Sequence, residues 1–398
     1  MAFEQYLNKT ALSLIILSTL SSASAMAERK WDQGNSPSNF DPSYIKDFYA
    51  LPTSGEMTKE GKRGWADSYW PRTRGGIADR WQIPGYQYRE DKPPTQSQVL
   101  FQMSQAQIDR LSPAEKFDII RGRWDFPIAT EIRKKYKDNE KDWRGLCNGW
   151  THASLNYPEP KPIIYKDPVS GLNVPLGSAD IKGLLAHFHA AVDKSNAKFI
   201  GRSCRTLSRV LLNFNGACSD VHPAAFHIMM ANELGMKKQG FAADRDPSIQ
   251  VWNQPFVKFE SRIDAIKTND LSKDATEGTK KEITITSTLT YVNELYDSDV
   301  PTEETSEHVA PSYFPVLASQ KYKTIEYQYV LELNKNNRII GGEWISGMRP
   351  DLIWKQNFKL PGIIIDDEGK KDDWSKLAEI VKLATDGLPI GPAIETAN

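Results

Sequence analysis

A single cysteine stands in a segment whose residue types suit a thiol nucleophile. Two glycines and two tryptophans flank it, and the run Thr151–Leu155 that follows is able to begin a helix; the segment contains Trp143, Gly145, Cys147, Gly149 and Trp150. Glycine lets the backbone turn sharply and lets a substrate approach, while a helix N-terminus directs N–H groups and partial positive charge at the sulfur. Both effects favour the reactive thiolate. The alternative is a buried structural cysteine in a tight turn.

A thiol nucleophile needs a base, and the base needs a third group to orient it. Of the six histidines, four are poor candidates because they point away from the helix start, share one helix on different faces or lie in an acidic loop: His152, His187, His189 and His308. The remaining two, His222 and His227, precede the predicted strands. Asp244, after the predicted strand 239–243, is able to reach the far nitrogen of His227. The alternative for His227 is a core histidine.

The elements expected around these residues are helices first and strands second. Apolar residues at helical spacing, with Ser112 and Ser178 as N-caps and Gly235 as a C-cap, predict helices at 104–111, 112–121, 127–137, 178–192 and 223–235. Alternating patterns predict strands at 239–243, 250–260, 282–292, 322–333 and 339–345, with 334–338 as a hairpin turn. This order is typical of an α+β fold with the cysteine at a helix N-terminus, packed on an antiparallel sheet.

Four regions are expected: a signal peptide at 1–25, an aromatic and proline-rich N-terminal extension at 26–100, a catalytic domain at 101–365 and a C-terminal tail at 366–398. The apolar run Ala11–Leu20 ahead of Ala23-x-Ala25 is typical of a cleaved bacterial secretory signal and is too short to span a bilayer. We therefore expect a secreted or periplasmic protein without an integral membrane segment. The extension is expected to wrap the catalytic body or to cover the site as a pro-segment, and the weakly helical tail to be peripheral.

Composition excludes some classes of partner and leaves one cysteine unpaired. The chain has 50 basic and 51 acidic residues, which does not favour nucleic acid or an anionic membrane. Of the three cysteines, Cys204 and Cys218 are a candidate disulfide, which leaves Cys147 free. A zinc site from His187, His189 and Cys204 or His227 is weakly supported, because His-x-His on a helix lacks the i, i+4 spacing that presents two imidazoles to one metal.

Several blocks of the sequence together resemble the transglutaminase-elicitor family, whose members include secreted enzymes of oomycetes and bacteria. The resemblance covers about residues 110–355, and the blocks are Arg144–Trp150, His222–His227, Ala231–Gly235, Val251–Pro255, Gly341–Trp344 and Pro350–Trp354. It implies a papain-like or transglutaminase-like core, with Cys147 as nucleophile, His227 as base and Asp244 as the orienting acid. Asp246 and Asn253 are rivals for the third role, and the indoles of Trp143 and Trp252 are candidate oxyanion donors.

The chemistry that the resemblance implies is acyl transfer through a cysteine thioester. Protein glutamines would be the acyl donors, and lysines or primary amines the acceptors, in a protein-glutamine γ-glutamyltransferase. A cysteine protease or a deamidase would use the same residues with water as acceptor. A secreted binding or elicitor protein that retains the fold is the non-enzymatic alternative. No cofactor is required by the sequence; calcium is suggested only by acidic loops at 297–299 and 366–373, which do not match an EF-hand.

Overall fold

The core of the protein is an eight-stranded antiparallel sheet with helices on both faces. In this computed structural model, the structure describes residues 29–58, 63–83, 91–136, 140–193, 197–202, 220–248, 250–294, 321–365, 369 and 371–391. The predicted signal peptide and the Cys204–Cys218 pair lie outside these ranges. Seven strands follow the order β4-β10-β5-β6-β7-β8-β9, and β1 pairs with β6. The strands are β1 (Ser54–Glu56), β4 (Ala197–Gly201), β5 (Phe241–Asp244), β6 (Asn253–Lys267), β7 (Lys281–Val292), β8 (Tyr322–Leu333), β9 (Ile339–Trp344) and β10 (Leu352–Gln356).

Eight α-helices and two small hairpins complete the described part of the chain. The hairpins pair β2 (Ile163–Lys166) with β3 (Asn173–Leu176) and β11 (Ile363–Ile365) with β12 (Lys371–Asp373). The helices are α1 (Gln96–Phe101), α2 (Gln105–Asp109), α3 (Pro113–Ile120), α4 (Pro127–Lys135), α5 (Cys147–Asn156), α6 (Ser178–His187), α7 (Pro223–Met230) and α8 (Ser375–Ala384). The predicted α+β class is confirmed. Within the described ranges, no helix combines the length and the apolar character needed to cross a bilayer.

The strand register assigns each side chain of the sheet to one of two faces. Tyr329 of β8 stands opposite Ile285 of β7, and Tyr291, six residues further along β7, stands opposite Phe256 of β6. Because successive side chains of a strand alternate between faces, these four residues share one face. Asn253 lies three positions before Phe256 in β6, so its side chain points to the other face.

Helices α5 and α7 lie on opposite faces of this sheet. Phe226 of α7 packs edge-on against Tyr329, with ring centroids 6.0 Å apart. His152 of α5 stacks on Trp354 of β10 at 6.3 Å, and the Trp354 indole is hydrogen-bonded to the side chain of Asn253. The sheet therefore separates residues on α5 from residues on α7.

Both ends of the described chain are built into the core. In the N-terminal arm, the indole of Trp65 donates to the carbonyl of Tyr157 at 3.0 Å and the indole of Trp81 donates to Asp180 at 2.9 Å. At the other end, α8 buries one apolar face, formed by Leu377, Ile380, Val381 and Ala384. The prediction of a peripheral tail was wrong, because these side chains pack into the main core with Trp374.

Two predicted helix boundaries also differ from the structure. Ser178 is the first residue of α6 and Gly177 is its N-cap, whereas Ser178 was expected to be the cap. Gly235, expected to end the helix after His222, lies within a π-helical segment, Ala231–Met236. The N–H of Lys237 donates to the carbonyl of Asn232 five residues earlier, so the helical path continues beyond the glycine.

Candidate active site

Cys147 is the first residue of α5 and is 9% exposed. The glycines beside it permit close packing rather than a left-handed turn, since neither has positive φ. A Cβ at Gly145 would lie 2.1 Å from the carbonyl oxygen of Tyr69, and a Cβ at Gly149 would lie 1.9 Å from that of Ala186. The N-terminal arm and α6 thus approach the cysteine segment as closely as backbone allows.

Asn253 and Trp354 form a chain of hydrogen bonds that ends at the cysteine sulfur. The amide Nδ2 of Asn253 donates to Cys147 Sγ at 3.7 Å, and the thiol lies 3.9 Å from the carbonyl oxygen of Val251. The Trp354 indole donates to Asn253 Oδ1 at 2.8 Å. Because the indole occupies the amide oxygen, the amide N–H group is directed at the sulfur.

Two carboxyl groups disfavour the ionised form of the Cys147 thiol. Burial, together with the charges of Glu294 and Asp244, raises the pKa of Cys147 to about 11, and the amide of Asn253 opposes this rise. With that pKa the thiol is protonated at neutral pH in the state described. Reaction at neutral pH therefore requires a group that accepts its proton.

Glu294 is a buried acid that sequence reasoning did not identify. Burial raises its pKa to about 8, opposed by the charges of Arg245 and Lys323, and its Oε1 has no hydrogen-bond partner within the described part of the chain. It follows β7 by two residues. An acidic residue two positions after the apolar strand end Tyr291-Val292 was the available signal, but no motif contains it.

Asp244 lies on the same face of the sheet as Asn253, directly opposite it in the β5–β6 pair. It is fully buried, and its Oδ1 accepts the backbone N–H of Trp252 at 3.0 Å. Its rival Asp246 contacts the guanidinium of Arg245 at 3.3 Å and caps the N–H of Ser248. The structure thus brings Asp244 and Asn253 into the surroundings of Cys147, and gives Asp246 a role in the following turn.

His227 does not join this group, which corrects the expected pairing of His227 with Cys147. It lies on α7, beyond the sheet, where its Nδ1 is 2.8 Å from the hydroxyl of Tyr329 and its ring stacks on Phe48 at 5.8 Å. Burial lowers its pKa to about 4. These contacts agree with the alternative interpretation of His227 as a core histidine whose ring nitrogen is hydrogen-bonded.

The two tryptophans expected to line the site are both partly buried. Trp252 packs edge-on against Tyr69 at 6.2 Å, and its indole N–H is donated to Gln250 at 3.1 Å. The Trp143 ring lies under the guanidinium of Arg144 at 5.8 Å. Trp252 and Tyr69 therefore form an aromatic wall near the start of α5, while the indole of Trp252 is engaged elsewhere than at an oxyanion.

The residues considered for metals contact separate groups. His187 stacks on Trp374 at 5.9 Å, whereas His189 lies 3.0 Å from the hydroxyl of Tyr157 and 3.6 Å from Asp193. Among described residues, no group of three or more His, Cys, Asp or Glu is placed to hold a metal. The acidic loop 297–299 lies outside the described ranges, and in the other loop Asp372 forms an ion pair with Arg121.

A cavity of about 200 Å³ borders Trp354 and His152 but is not lined by Cys147. Its polar lining includes three cations, Arg63, Lys238 and Lys355. The Nε2 atom of His152 is buried without a hydrogen-bond partner in the described structure. Since Trp354 and Asn253 stand between this cavity and the sulfur, the cavity is distinct from the surface at which a substrate would meet the thiol.

Comparisons with known proteins agree with this architecture. The sequence profile of the family described as transglutaminase elicitor matches residues 140–363, more than half of the chain. The crystal structure of the GP42 transglutaminase from Phytophthora sojae is similar in fold, with a TM-score of 0.63 and 19% sequence identity, over 90% of this chain and 99% of that one. No curated protein sequence matches the chain.

Proposed function

Because the chain belongs to the transglutaminase elicitor family, we propose that it is a protein-glutamine γ-glutamyltransferase whose nucleophile is Cys147. The observation that supports this most directly is the position of Cys147 at the start of α5, with the amide of Asn253 donating to its sulfur. Both features stabilise negative charge on a thiolate.

The proposed reaction is a two-step acyl transfer. The thiolate attacks the side-chain carbonyl carbon of a protein glutamine, the C–N bond breaks, and ammonia leaves with one added proton to give a thioester. The nitrogen of a lysine or another primary amine then attacks the thioester, forming an isopeptide bond and releasing the thiol. The free N–H groups at the start of α5 are suited to hold the oxyanion of each tetrahedral intermediate.

In this proposal the proton of the thiol passes to a carboxyl group and not to His227. Glu294 has a pKa of about 8 and an oxygen without a hydrogen-bond partner among the described residues, so its ionised fraction, about one tenth at pH 7 and about half at pH 8, is able to accept the proton. Asp244 holds the backbone of Trp252 and thereby positions the strand that carries Asn253. His227 contributes to the core behind the sheet.

The proposed substrates are proteins outside the cytoplasm. The export signal predicted at residues 1–25 places the enzyme in the periplasm or beyond the cell, where protein glutamines and lysines are both available. The ring of Trp252 next to Tyr69 offers an apolar wall to the substrate segment and limits access of water. Limited access of water favours attack of an amine on the thioester over attack of water, and therefore favours transfer over deamidation.

The test is incorporation of a labelled primary amine into casein by the mature protein. We expect incorporation by the wild type, none by Cys147→Ala, and nearly unchanged incorporation by His227→Gln, because that side chain lies beyond the sheet. Glutamine retains a polar partner for Tyr329, so the variant is expected to fold. A parallel reaction with chelator determines whether calcium is needed.

Three results would contradict the proposal in different ways. New casein peptides without amine incorporation would indicate a cysteine protease. Loss of incorporation in a folded His227→Gln protein would mean that His227 takes part in catalysis. No reaction of either kind, with or without calcium, would indicate a binding protein that retains the fold.

A further inference from the structure

An exposed, glutamine-rich segment lies outside the candidate active site. Five glutamines occur between residues 96 and 107, across helices α1 and α2, and all five are exposed: Gln96, Gln98, Gln102, Gln105 and Gln107. If the enzyme acts on glutamine side chains, every copy of the protein exposes this segment to the active sites of other copies. We propose that this segment is an acyl-donor substrate of the enzyme, and that Gln102 is the residue modified, which rests on the function proposed above.

The carboxamide of Gln102 is the one best placed to react. Its neighbours Gln98 and Gln107 each use the side-chain oxygen to close a capping box, at 2.7 Å to Thr95 N and 2.8 Å to Ser104 N. Gln105 donates to the carbonyl of Asn173 at 3.2 Å. Within the described structure the side chain of Gln102 has no hydrogen-bond partner, so its transfer into a cleft breaks no bond.

Phe101 supplies an apolar contact beside this glutamine. Phe101 is 81% exposed, more than any other aromatic residue in the described part of the chain. An exposed aromatic ring is the type of residue that anchors a segment in a partner's apolar pocket. The wall formed by Tyr69 and Trp252 near Cys147 is also aromatic and is suited to contact this ring. Gln96 has polar neighbours instead, Thr95 and Ser97.

The backbone around Gln102 is able to open without disturbing the core. Helix α1 has six residues and α2 has five, and each buries a single side chain, Val99 or Ile108. Helices this short are marginal without tertiary support. Gln102 is the C-cap of α1, at the break between the two helices. Local opening there would present the Phe101–Gln102 pair as an extended segment.

The reaction is proposed between two copies of the chain. The thiolate of Cys147 in one copy attacks the carboxamide carbon of Gln102 in the other, the C–N bond breaks, and ammonia carries away the leaving nitrogen with one added proton. A lysine amine of either copy then attacks the thioester, which forms an isopeptide cross-link and restores the thiol. An added small amine replaces the lysine and labels Gln102.

The experiment separates donor and enzyme. A Cys147→Ala protein serves as donor and a Gln102→Asn protein as enzyme, mixed with biotinylated cadaverine, and labelled peptides are identified by mass spectrometry. We expect label at Gln102 of the Cys147→Ala copies. A donor that also carries Gln102→Asn is expected to lose that label, whereas a donor that carries Gln96→Asn, the matched control, keeps it.

Casein labelling by the same Gln102→Asn enzyme distinguishes failure of this inference from failure of the proposed function. If casein is labelled and Gln102 is not, or if label is found equally on the other glutamines, the segment is not a specific substrate and the inference is overturned. If casein itself is not labelled, the proposed transferase activity has failed first, and this inference fails with it.

Discussion

The orientation of the Asn253 amide depends on one indole N–H group. Replacing Trp354 by Phe keeps an aromatic ring against His152 but removes the donor to Asn253 Oδ1. A hydrogen bond of about 1 kcal/mol corresponds to a loss of about five- to tenfold in rate. We expect that loss in kcat for amine incorporation, with little change in KM.

The matched control for Trp354→Phe is Trp344→Phe. Trp344 also donates its indole N–H, to the carbonyl of Val221 at 2.7 Å, but it packs against Phe226 on the α7 face of the sheet. Its replacement is expected to cost stability and leave kcat unchanged. Equal losses of kcat in both variants would mean that the role assigned to Asn253 is wrong.

Glu294 is expected to affect thiol reactivity and catalysis in opposite directions. Its negative charge raises the pKa of Cys147, so Glu294→Gln should lower that pKa and increase the rate of iodoacetamide alkylation at pH 7 to 8. The same variant lacks the proposed proton acceptor and should lose about 10²-fold or more in amine incorporation. A merely structural Glu294 would not produce this split, because misfolding would change both rates together with the unfolding temperature.

At this scale the sequence singled out Cys147 as the candidate nucleophile but did not indicate which side chains surround it. Cys147 is recognisable because its surroundings are local: glycines, tryptophans and the start of a helix adjoin it in the chain. The partner of a thiol is decided by which face of the sheet a side chain occupies. His227 and Asp244 follow each other in the expected order, yet His227 contacts Tyr329 on one face of the sheet and Asp244 stands opposite Asn253 on the other. Chain order does not contain that information.

At the scale of elements, the contact between α5 and α6 depends on a residue without a side chain. Glycine in a helix interior is normally about 1 kcal/mol less stabilising than alanine. At Gly149 the added methyl group would lie 1.9 Å from the carbonyl oxygen of Ala186 and 2.8 Å from the Cβ of Ala190. We therefore expect Gly149→Ala to destabilise the protein, by about 1 to 3 kcal/mol or more, contrary to helix propensity.

Urea unfolding of Gly149→Ala checks this contact. Gly171→Ala is not a neutral comparison, since that glycine has φ of 73°; Gly347→Ala is, because a Cβ there meets nothing within 4 Å. A variant Gly149→Ala as stable as Gly347→Ala would mean that the two helices are further apart than described.

Two long strands with a regular pattern were predicted well, whereas two short strands of the same sheet were not predicted. The alternation in β7 and β8 predicted strands within one residue of the observed ends. Strands β4 and β10 have five residues each and were not predicted. They pair with each other and close one side of the sheet, so their stability comes from neighbours far away in the chain and not from a local pattern.

At the scale of the whole molecule, buried ionisable groups set the pH range of stability. Burial raises the pKa of three aspartates to about 7 and that of Glu294 to about 8; the aspartates are Asp67, Asp79 and Asp118. Burial also lowers the pKa of His187 and His227 to about 4. Below these pKa values the native state holds the carboxyls protonated, and above about pH 4 it holds the two imidazoles neutral.

The two sets limit stability on opposite sides. A carboxyl with a raised native pKa stabilises fully below its unfolded pKa, and that contribution is lost as pH rises through the native value. A histidine with a lowered native pKa stabilises fully above its unfolded pKa, near 6.5, and that contribution is lost as pH falls through about 4. Since four carboxyls and two histidines are involved, we expect the unfolding temperature to fall between about pH 4 and about pH 8 as the carboxyl contributions are lost, partly offset up to about pH 6.5 by the two histidines.

Asp118 offers a test of the alkaline side of this profile. Its Oδ2 accepts the backbone N–H groups of Ile128 and Ala129 at the start of α4, at 3.0 and 3.2 Å. Asparagine keeps an oxygen for these donors and carries no charge at any pH. We therefore expect Asp118→Asn nearly to match the wild type near pH 4 and to exceed it by several degrees at pH 8.5, when unfolding is followed by circular dichroism at constant ionic strength. Parallel profiles for the two proteins would mean that Asp118 ionises without cost in the native state, and that burial of this carboxyl does not limit stability.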